Sequence, residues 1–374
     1  MANSRLIAFY LPQYHPIPEN DIWWGKGFTE WTNVAKAKPL YPGHYQPRIP
    51  ADLGFYDLRT SETRAAQASL AREYGIEGFC YWHYWFAGKR LLERPFSEVL
   101  MSGQPDFPFC LCWANDSWTG VWHGCPDRVL ISQSYPGLDD HVRHFHCVLP
   151  AFKDKRYIRI DGRPIFVIYK ADAIPDLQRF TCLWQELAKS AGLSGIFFIY
   201  FNGNSNSTFD FRSQGFDVML HHNPGWAISR LVRQMGCAPK QKNLRSRVLD
   251  FVRNYSRTTP GKPSRYNYRD YIDAALLNPI PSDEFPCLIP NWDNTPRCGS
   301  DGFVFENSEP DLFRGYLRKT ISSLADRQPD RRMIFIKAWN EWAEGNYLEP
   351  DERYGRQLLD VCREENSRNL SELM

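Results

Sequence analysis

No single charge dominates this sequence: 45 lysines and arginines meet 43 aspartates and glutamates, a balance of +2. No whole-chain field therefore draws it to nucleic acid or to a membrane surface. No run reaches the ~20 consecutive apolar residues of a membrane-spanning helix. The opening residues, MANSRLIAFYLPQY, hold only a short apolar run without a cleavage-type site, so they do not read as a signal peptide. The cytoplasm is the expected compartment. The ten cysteines include no Cys-x-x-Cys pair. The one tight spacing, Cys110-Leu-Cys112, puts both thiols on one face of a strand, too extended for a structural zinc knuckle. Reduced, mostly buried thiols are expected, with no metal site. No Gly-x-Gly-x-x-Gly follows the first apolar run, and no glycine loop is built to cradle phosphate, so no nucleotide or other cofactor is expected. Internal repeats and low-complexity tracts are absent too.

With 43% apolar and 24% charged residues over 374 positions, a disordered chain is excluded and an ample core is within reach. Aromatics are abundant: 13 Trp, 19 Tyr and 24 Phe. Many of the tryptophans and tyrosines sit beside polar residues rather than inside apolar runs. Eight short apolar, β-branched or aromatic runs recur, at Arg5–Tyr10, Ile76–Trp82, Phe107–Trp113, Pro164–Tyr169, Gly195–Phe201, Asp217–His221, Phe285–Pro290 and Met333–Ala338. Helical patterns fall between most of them, at Glu62–Tyr74, Asp139–Leu149, Leu177–Ala191, Tyr266–Leu277 and Pro310–Leu324, with a last one from Tyr354 to about Glu364. Continuous apolar strands alternating with amphipathic helices indicate a parallel sheet covered by helices. Eight such units predict an α/β fold closed as a (β/α)8 TIM-type barrel, formed as one domain over residues 1–374. Two long loops interrupt the repeat. Residues 11–58 follow strand one, and about 222–284 form an insertion after strand six. The stretch 227–265 carries ten basic residues, Arg230 to Arg265, against one acid, Asp250. That excess suits peripheral contact with anionic lipid or a diphosphate-linked glycan, and equally a solvated surface. Residues 154–163 read as a small hairpin with an Asp-Gly turn.

A barrel carries its chemistry at the carboxyl ends of its strands. Just past those ends lie Tyr14 and His15, then His83 and Tyr84, then Asn115, Asp116 and Trp118, then His222, Trp292 and Asn340. Trp24, Glu30 and Trp113 are further candidates. Flat aromatic faces with hydrogen-bonding groups between them suit a sugar, which has apolar C–H faces and hydroxyl edges. The sharpest constellation is Glu341 and Glu344, which share one face if the segment forms a helical turn. Glycosidic cleavage needs an acid for the leaving oxygen and a second carboxylate at the sugar. The same spacing suits a bland alternative, in which Asn340 caps a helix and both glutamates favour its N-terminal dipole.

The segment Ala338-Trp-Asn-Glu-Trp-Ala-Glu-Gly-Asn-Tyr-Leu-Glu-Pro-Asp351 resembles the signature of WbsX-type proteins of bacterial surface-polysaccharide clusters. These belong to the glycoside hydrolase family 99-like superfamily of endo-α-mannanases and endomannosidases. Tyr14-His-Pro-Ile-Pro-Glu-Asn20, Trp24-Gly-Lys-Gly-Phe-Thr-Glu-Trp-Thr-Asn33, Asp52-Leu-Gly-Phe-Tyr-Asp-Leu-Arg59, Gly78-Phe-Cys-Tyr-Trp-His-Tyr-Trp-Phe86 and Cys110-Leu-Cys-Trp-Ala-Asn115 resemble it in the same order. The resemblance implies a (β/α)8 barrel and a catalytic pair at Glu341 and Glu344. It further implies retention of configuration without metal or cofactor. Glu341 would deprotonate the sugar 2-hydroxyl to give a 1,2-anhydro sugar, and Glu344 would protonate the leaving oxygen. One departure stands out. The family's strand-three motif runs Trp-Ala-Asn-Glu, then Trp-Thr, then Trp-Asp-Gly, whereas here it reads Trp113-Ala-Asn-Asp116, Trp118-Thr119 and Trp122-His123-Gly124.

Three functions follow as expectations. The first is an endo-acting glycoside hydrolase on a surface polysaccharide or its lipid-linked precursor, a polyprenyl-linked glycan among the expected substrates. The second is a glycosyltransferase of O-antigen, lipopolysaccharide or capsule assembly. The third is a non-catalytic carbohydrate-binding protein, which the retention of both glutamates disfavours.

Overall fold

The computed structural model describes residues 4–120, 125–202, 209–221 and 261–368. Eight parallel strands are laid down in order: β1 Arg5–Tyr10, β2 Gly78–Phe86, β3 Phe109–Trp113, β4 Arg163–Ile168, β5 Phe197–Asn202, β6 Val218–His221, β7 Glu284–Leu288 and β8 Met333–Ile336. Each pairs in parallel with the next, and β8 returns to β1, so the sheet closes. The fold is the expected (β/α)8 barrel. Its strands are apolar on both faces because one face meets the barrel interior and the other meets helices. Phe9 of β1 fills the interior, with its ring 4.8 Å from Trp82, 5.8 Å from Phe201 and 5.6 Å from Phe335.

Helices Ser61–Glu73, Arg94–Ser102, Leu138–Lys153, Leu177–Ser190, Tyr268–Ala275, Pro310–Ser323 and Gln357–Ser367 form the outer layer. The expected hairpin is present: Ile160 pairs with Arg163 across Asp161-Gly162, both at positive φ.

Two expectations change. The connection 11–58 is not structureless. It contains helices Pro18–Trp24 and Glu30–Lys36, and Trp31 Nε1 donates to the Tyr56 carbonyl at 2.8 Å. The proposed insertion 222–284 shrinks at its far end. Strand Ser264–Asn267 pairs in parallel with Phe303–Glu306, and helix Tyr268–Ala275 is the covering helix before β7. Residues 222–260, with most of the basic stretch and His222, lie outside the described residues, as do Trp122, His123 and Gly124. Among the described residues no helix is long and apolar enough to cross a membrane.

Candidate active site

Beyond β8 the chain folds back on itself. Asn340–Glu341 pairs antiparallel with Asn346–Tyr347 around a single 3-10 turn, Trp342–Glu344. The capped helix considered from sequence is therefore not formed. Asn340 is fully buried; its Oδ1 accepts from the Leu11 amide at 2.7 Å, and its Nδ2 donates to the Leu11 carbonyl at 3.1 Å. It fastens this loop to the end of β1 and has no surface left for substrate. Tyr14, also fully buried, donates its hydroxyl to the Asn340 carbonyl. Behind the turn, Glu349 accepts from Trp342 Nε1 at 2.7 Å, Tyr56 Oη at 2.9 Å and Gln67 Nε2 at 2.7 Å. On the other side the Asp293 amide donates to the Glu344 carbonyl at 2.7 Å. Asp293 is itself bonded by His44, Gln46 and Thr295.

These ties hold Glu341 and Glu344 at the floor of a cavity of about 290 Å³ at the carboxyl ends of the strands. Trp24, Trp82, Tyr84, Trp118 and Tyr169 form much of its wall. Lys337, the first residue after β8, sends its ammonium between the two carboxylates, 2.7 Å from Glu344 Oε2 and 3.2 Å from Glu341 Oε2. Arg297 approaches from helix Thr295–Cys298; its Nη1 donates to Glu344 Oε1 at 2.5 Å and its Nε to Glu30 Oε1 at 2.7 Å. Trp82 Nε1 donates to Glu341 Oε1 at 2.7 Å.

The two carboxyls are driven apart in acidity. Burial, then the charge of Glu344, raises the pKa of Glu341. Burial also opposes ionisation of Glu344, but the cations of Lys337 and Arg297 outweigh it and its pKa falls well below the ordinary range. Lys337 rises in turn, because the two carboxylates overcome its own desolvation.

Of the residues expected at the site, Glu341, Glu344, Trp24, Tyr84, Asp116 and Trp118 line the cavity. Asp116 sits at its rim, paired with Lys170 at 2.7 Å. Tyr14, His15, Glu30, His83, Trp113, Asn115, Trp292 and Asn340, also expected to meet substrate, stand behind the lining side chains, and His222 lies outside the described residues. His15 is buried and its Nδ1 lies 2.9 Å from the Pro12 carbonyl. Glu30 is fully buried as the partner of Arg297. His83 points outward from β2, where its Nε2 lies 2.9 Å from that of His144 on helix Leu138–Lys153; burial pushes its pKa down to about 3. Trp113 packs edge-on to the same His144. Asn115 bonds Tyr135 Oη and the Lys170 carbonyl. Trp292 lies under Lys337, with the ammonium 4.8 Å from its ring centre. The lining also includes Gln13, which follows strand one, and Trp82 of the aromatic cluster 82–85, together with Tyr169, Arg297 and Lys337, which the sequence did not single out. Lys337 carries a signal, a lone charge interrupting the apolar run of β8. Gln13 is almost wholly buried in the cavity wall, and its Nε2 has no partner among the described residues.

The fold places the chain among (β/α)8-barrel proteins. It superposes on a glycoside hydrolase-like protein with a TM-score of 0.60 at 14% identity, covering 99% of this chain and 95% of that one. It superposes on the GH99 endo-alpha-mannosidase from Bacteroides thetaiotaomicron with a TM-score of 0.54, also at 14% identity, covering 100% and 98%. At such identities the likeness is one of fold. Residues 6–362 match the family described as Glycosyltransferase WbsX, and the chain belongs to that family. WxcX proteins from two strains of Xanthomonas campestris pv. campestris are 40% identical over 364 residues, 96% of this chain and 49% of theirs. The chain thus spans about half the length of the curated relatives it matches.

Proposed function

We propose that this protein is a carbohydrate-active enzyme, a retaining, endo-acting glycoside hydrolase that cuts a bacterial surface polysaccharide or its lipid-linked precursor. The observation that carries this reading is the pair Glu341 and Glu344, joined by one ammonium at the floor of an aromatic cleft. Oxygens at 3.2 and 2.7 Å from a common nitrogen are closer together than the roughly 6.5–9.5 Å that inverting enzymes keep between their carboxyls. That spacing supports retention. The charges at the floor nearly cancel, with Lys337 and Arg297 against Glu344 and Glu30. A floor so balanced suits an uncharged sugar better than a diphosphate. The aromatic wall supplies faces for the pyranose rings. In this reading one carboxyl takes the proton of the 2-hydroxyl, which closes a 1,2-anhydro ring, while the other protonates the leaving oxygen. The family's description favours a second reading, transfer of the sugar to an acceptor other than water. A polyprenyl-linked substrate and peripheral membrane contact through 227–265 belong to the proposal as well.

Product analysis tests it. The purified protein is incubated with the host's own surface glycan without nucleotide sugar, beside Glu344→Gln. New reducing ends that fall by about 10²–10⁴-fold in the variant are expected for loss of an acid–base group. Extension only when nucleotide sugar is added would establish the transferase instead. Neither result, with sugar binding retained, would establish a binding protein.

A further inference from the structure

We propose that a second pocket on the carboxyl-end face of the barrel binds one uncharged ring of a glycan, apart from the catalytic cleft. The pocket is defined by its own contacts, and the choice of a sugar as its ligand rests on the carbohydrate reading above.

Three of the connections that follow barrel strands build it. Lining residues within 41–48 come from the connection after β1, Asn291, Asp293 and 304–309 from that after β7, and Arg353 and Tyr354 from that after β8. They enclose about 140 Å³ and share no lining residue with the cleft. A cavity of about 150 Å³ takes benzene, so the space matches a single six-membered ring. One residue supports both sites: Asp293 lines the pocket, and its amide holds the Glu344 carbonyl at 2.7 Å.

The charges around the pocket are largely spent on one another. Asp293 accepts from His44 Nε2 at 2.9 Å, from Gln46 Nε2 at 2.7 Å and from the Thr295 hydroxyl at 2.6 Å, with Arg48 at 3.7 Å. His44 Nδ1 accepts the Leu40 amide at 3.0 Å, so Nε2 carries the ring proton that Asp293 receives. Glu306 pairs with Arg265 at 2.7 Å. What remains is one cation, Arg353, and one carboxylate, Glu309, each exposed and without an ion-pair partner among the described residues.

Three tyrosines and an amide supply the rest. Tyr41 packs against Arg265, 4.3 Å from its ring centre, and against His44, stacked at 4.5 Å. Tyr45 lies 4.8 Å from Arg353 and 5.6 Å from Arg48, and Tyr354 lies 5.0 Å from Arg353. Rings braced in this way lose little freedom on binding. Among the described residues the three hydroxyls have no hydrogen-bond partner. Asn291 Oδ1 takes the Trp292 amide and the Ser308 hydroxyl, which leaves its Nδ2 uncommitted among them. A hydroxyl both donates and accepts, so a polyhydroxylated ring satisfies this set without bringing net charge. A phosphate group would find Arg353 opposed by Glu309.

Ring-carbon NMR of the full chain with ¹³C-labelled tyrosine tests the pocket. The probe is the neutral oligosaccharide fraction released by mild acid from the host's surface glycan. Tyr41→Phe, Tyr45→Phe and Tyr354→Phe assign the pocket signals, and Tyr84→Phe assigns a reporter of the cleft. The Tyr45 and Tyr354 signals are expected to shift saturably, and Arg353→Ala to weaken that response at least tenfold. Should Arg353→Ala not fold, Tyr354→Phe, which removes only a hydroxyl, is expected to weaken the Tyr45 response at least twofold. A response unchanged in every folded variant would overturn the proposal. A Tyr84 shift with the pocket tyrosines silent would overturn it too and leave the carbohydrate reading standing. Shifts with inorganic phosphate but not with the oligosaccharides would overturn the choice of ligand, and silence at both sites would overturn both readings. Pocket shifts in a protein that releases no reducing ends would sink the hydrolase reading alone.

Discussion

Glu349 has no opening to the cavity, yet it sets the footing of the turn that carries Glu344. It is an acid buried among neutral donors, Trp342, Gln67 and Tyr56, and burial pushes its pKa up to about 7. An acid whose pKa is higher in the folded than in the unfolded chain holds its proton more tightly when folded. Its favourable contribution is whole below about pH 4.5, the ordinary value, and is lost as pH rises through about 7. The loss amounts to at most about 3 kcal/mol at 1.36 kcal/mol per pH unit. Urea unfolding from pH 5 to pH 8 should therefore show the wild type losing stability relative to Glu349→Gln, whatever the offset between them at pH 5. Parallel curves would place the titration elsewhere. Gln13 belongs to the same scale: a buried amide whose donor meets no acceptor among the described residues is suited to a sugar hydroxyl, because an unmet donor costs about 1–3 kcal/mol.

Among the connecting elements, the loop after β8 depends on one close approach. Gly345 sits at φ +60°, and a Cβ there would lie 2.9 Å from both the Cβ and the amide nitrogen of Asp293. The Asp293 amide is the group that holds the Glu344 carbonyl. Gly345→Ala should cost about 1–3 kcal/mol in urea unfolding and lower turnover, because Glu344 loses its register against Arg297 and Lys337. Unchanged stability would show that the loop yields at no cost. This element also marks how far the sequence could be read. All eight barrel strands were legible, because runs apolar on both faces have few other uses in a chain of alternating elements. The glutamate pair was legible from its place after the last of them. Which side a strand-end residue faces was not. His83 and Trp85 point to the helices while Trp82 and Tyr84 reach the cavity, and a shift of one residue exchanges the two sets. Arg297 could not be singled out, since nothing local separates a cation that crosses the loop to Glu344 from an ordinary surface arginine. The stretch 261–284 merged with the basic segment before it, because the charge count hid a four-residue strand whose partner, Phe303–Glu306, lies far along the chain.

On the scale of the whole molecule, closure depends on the last helix. Leu358, Leu359, Val361 and Cys362 are buried, and Glu365 accepts from Arg318 at 2.8 and 2.9 Å. Burial of such side chains contributes about 1.5–3 kcal/mol each, together comparable with the net stability of a typical domain, about 5–15 kcal/mol. A chain stopped at residue 356 should therefore lose its cooperative unfolding transition by circular dichroism; a sharp transition in that chain would show that the barrel closes without its last helix. The end of that helix reaches the start of the first strand, where Asn366 Nδ2 donates to the Ser4 carbonyl at 3.0 Å. Ser4 and Asn366 are thus neighbours on the amino-terminal side of the barrel, across the molecule from the cleft. In a chain trimmed to residues 4–366, a short peptide bridge between these two would close the barrel into a circle, and opening that circle at another surface turn would give a permuted chain with the same ring of strands.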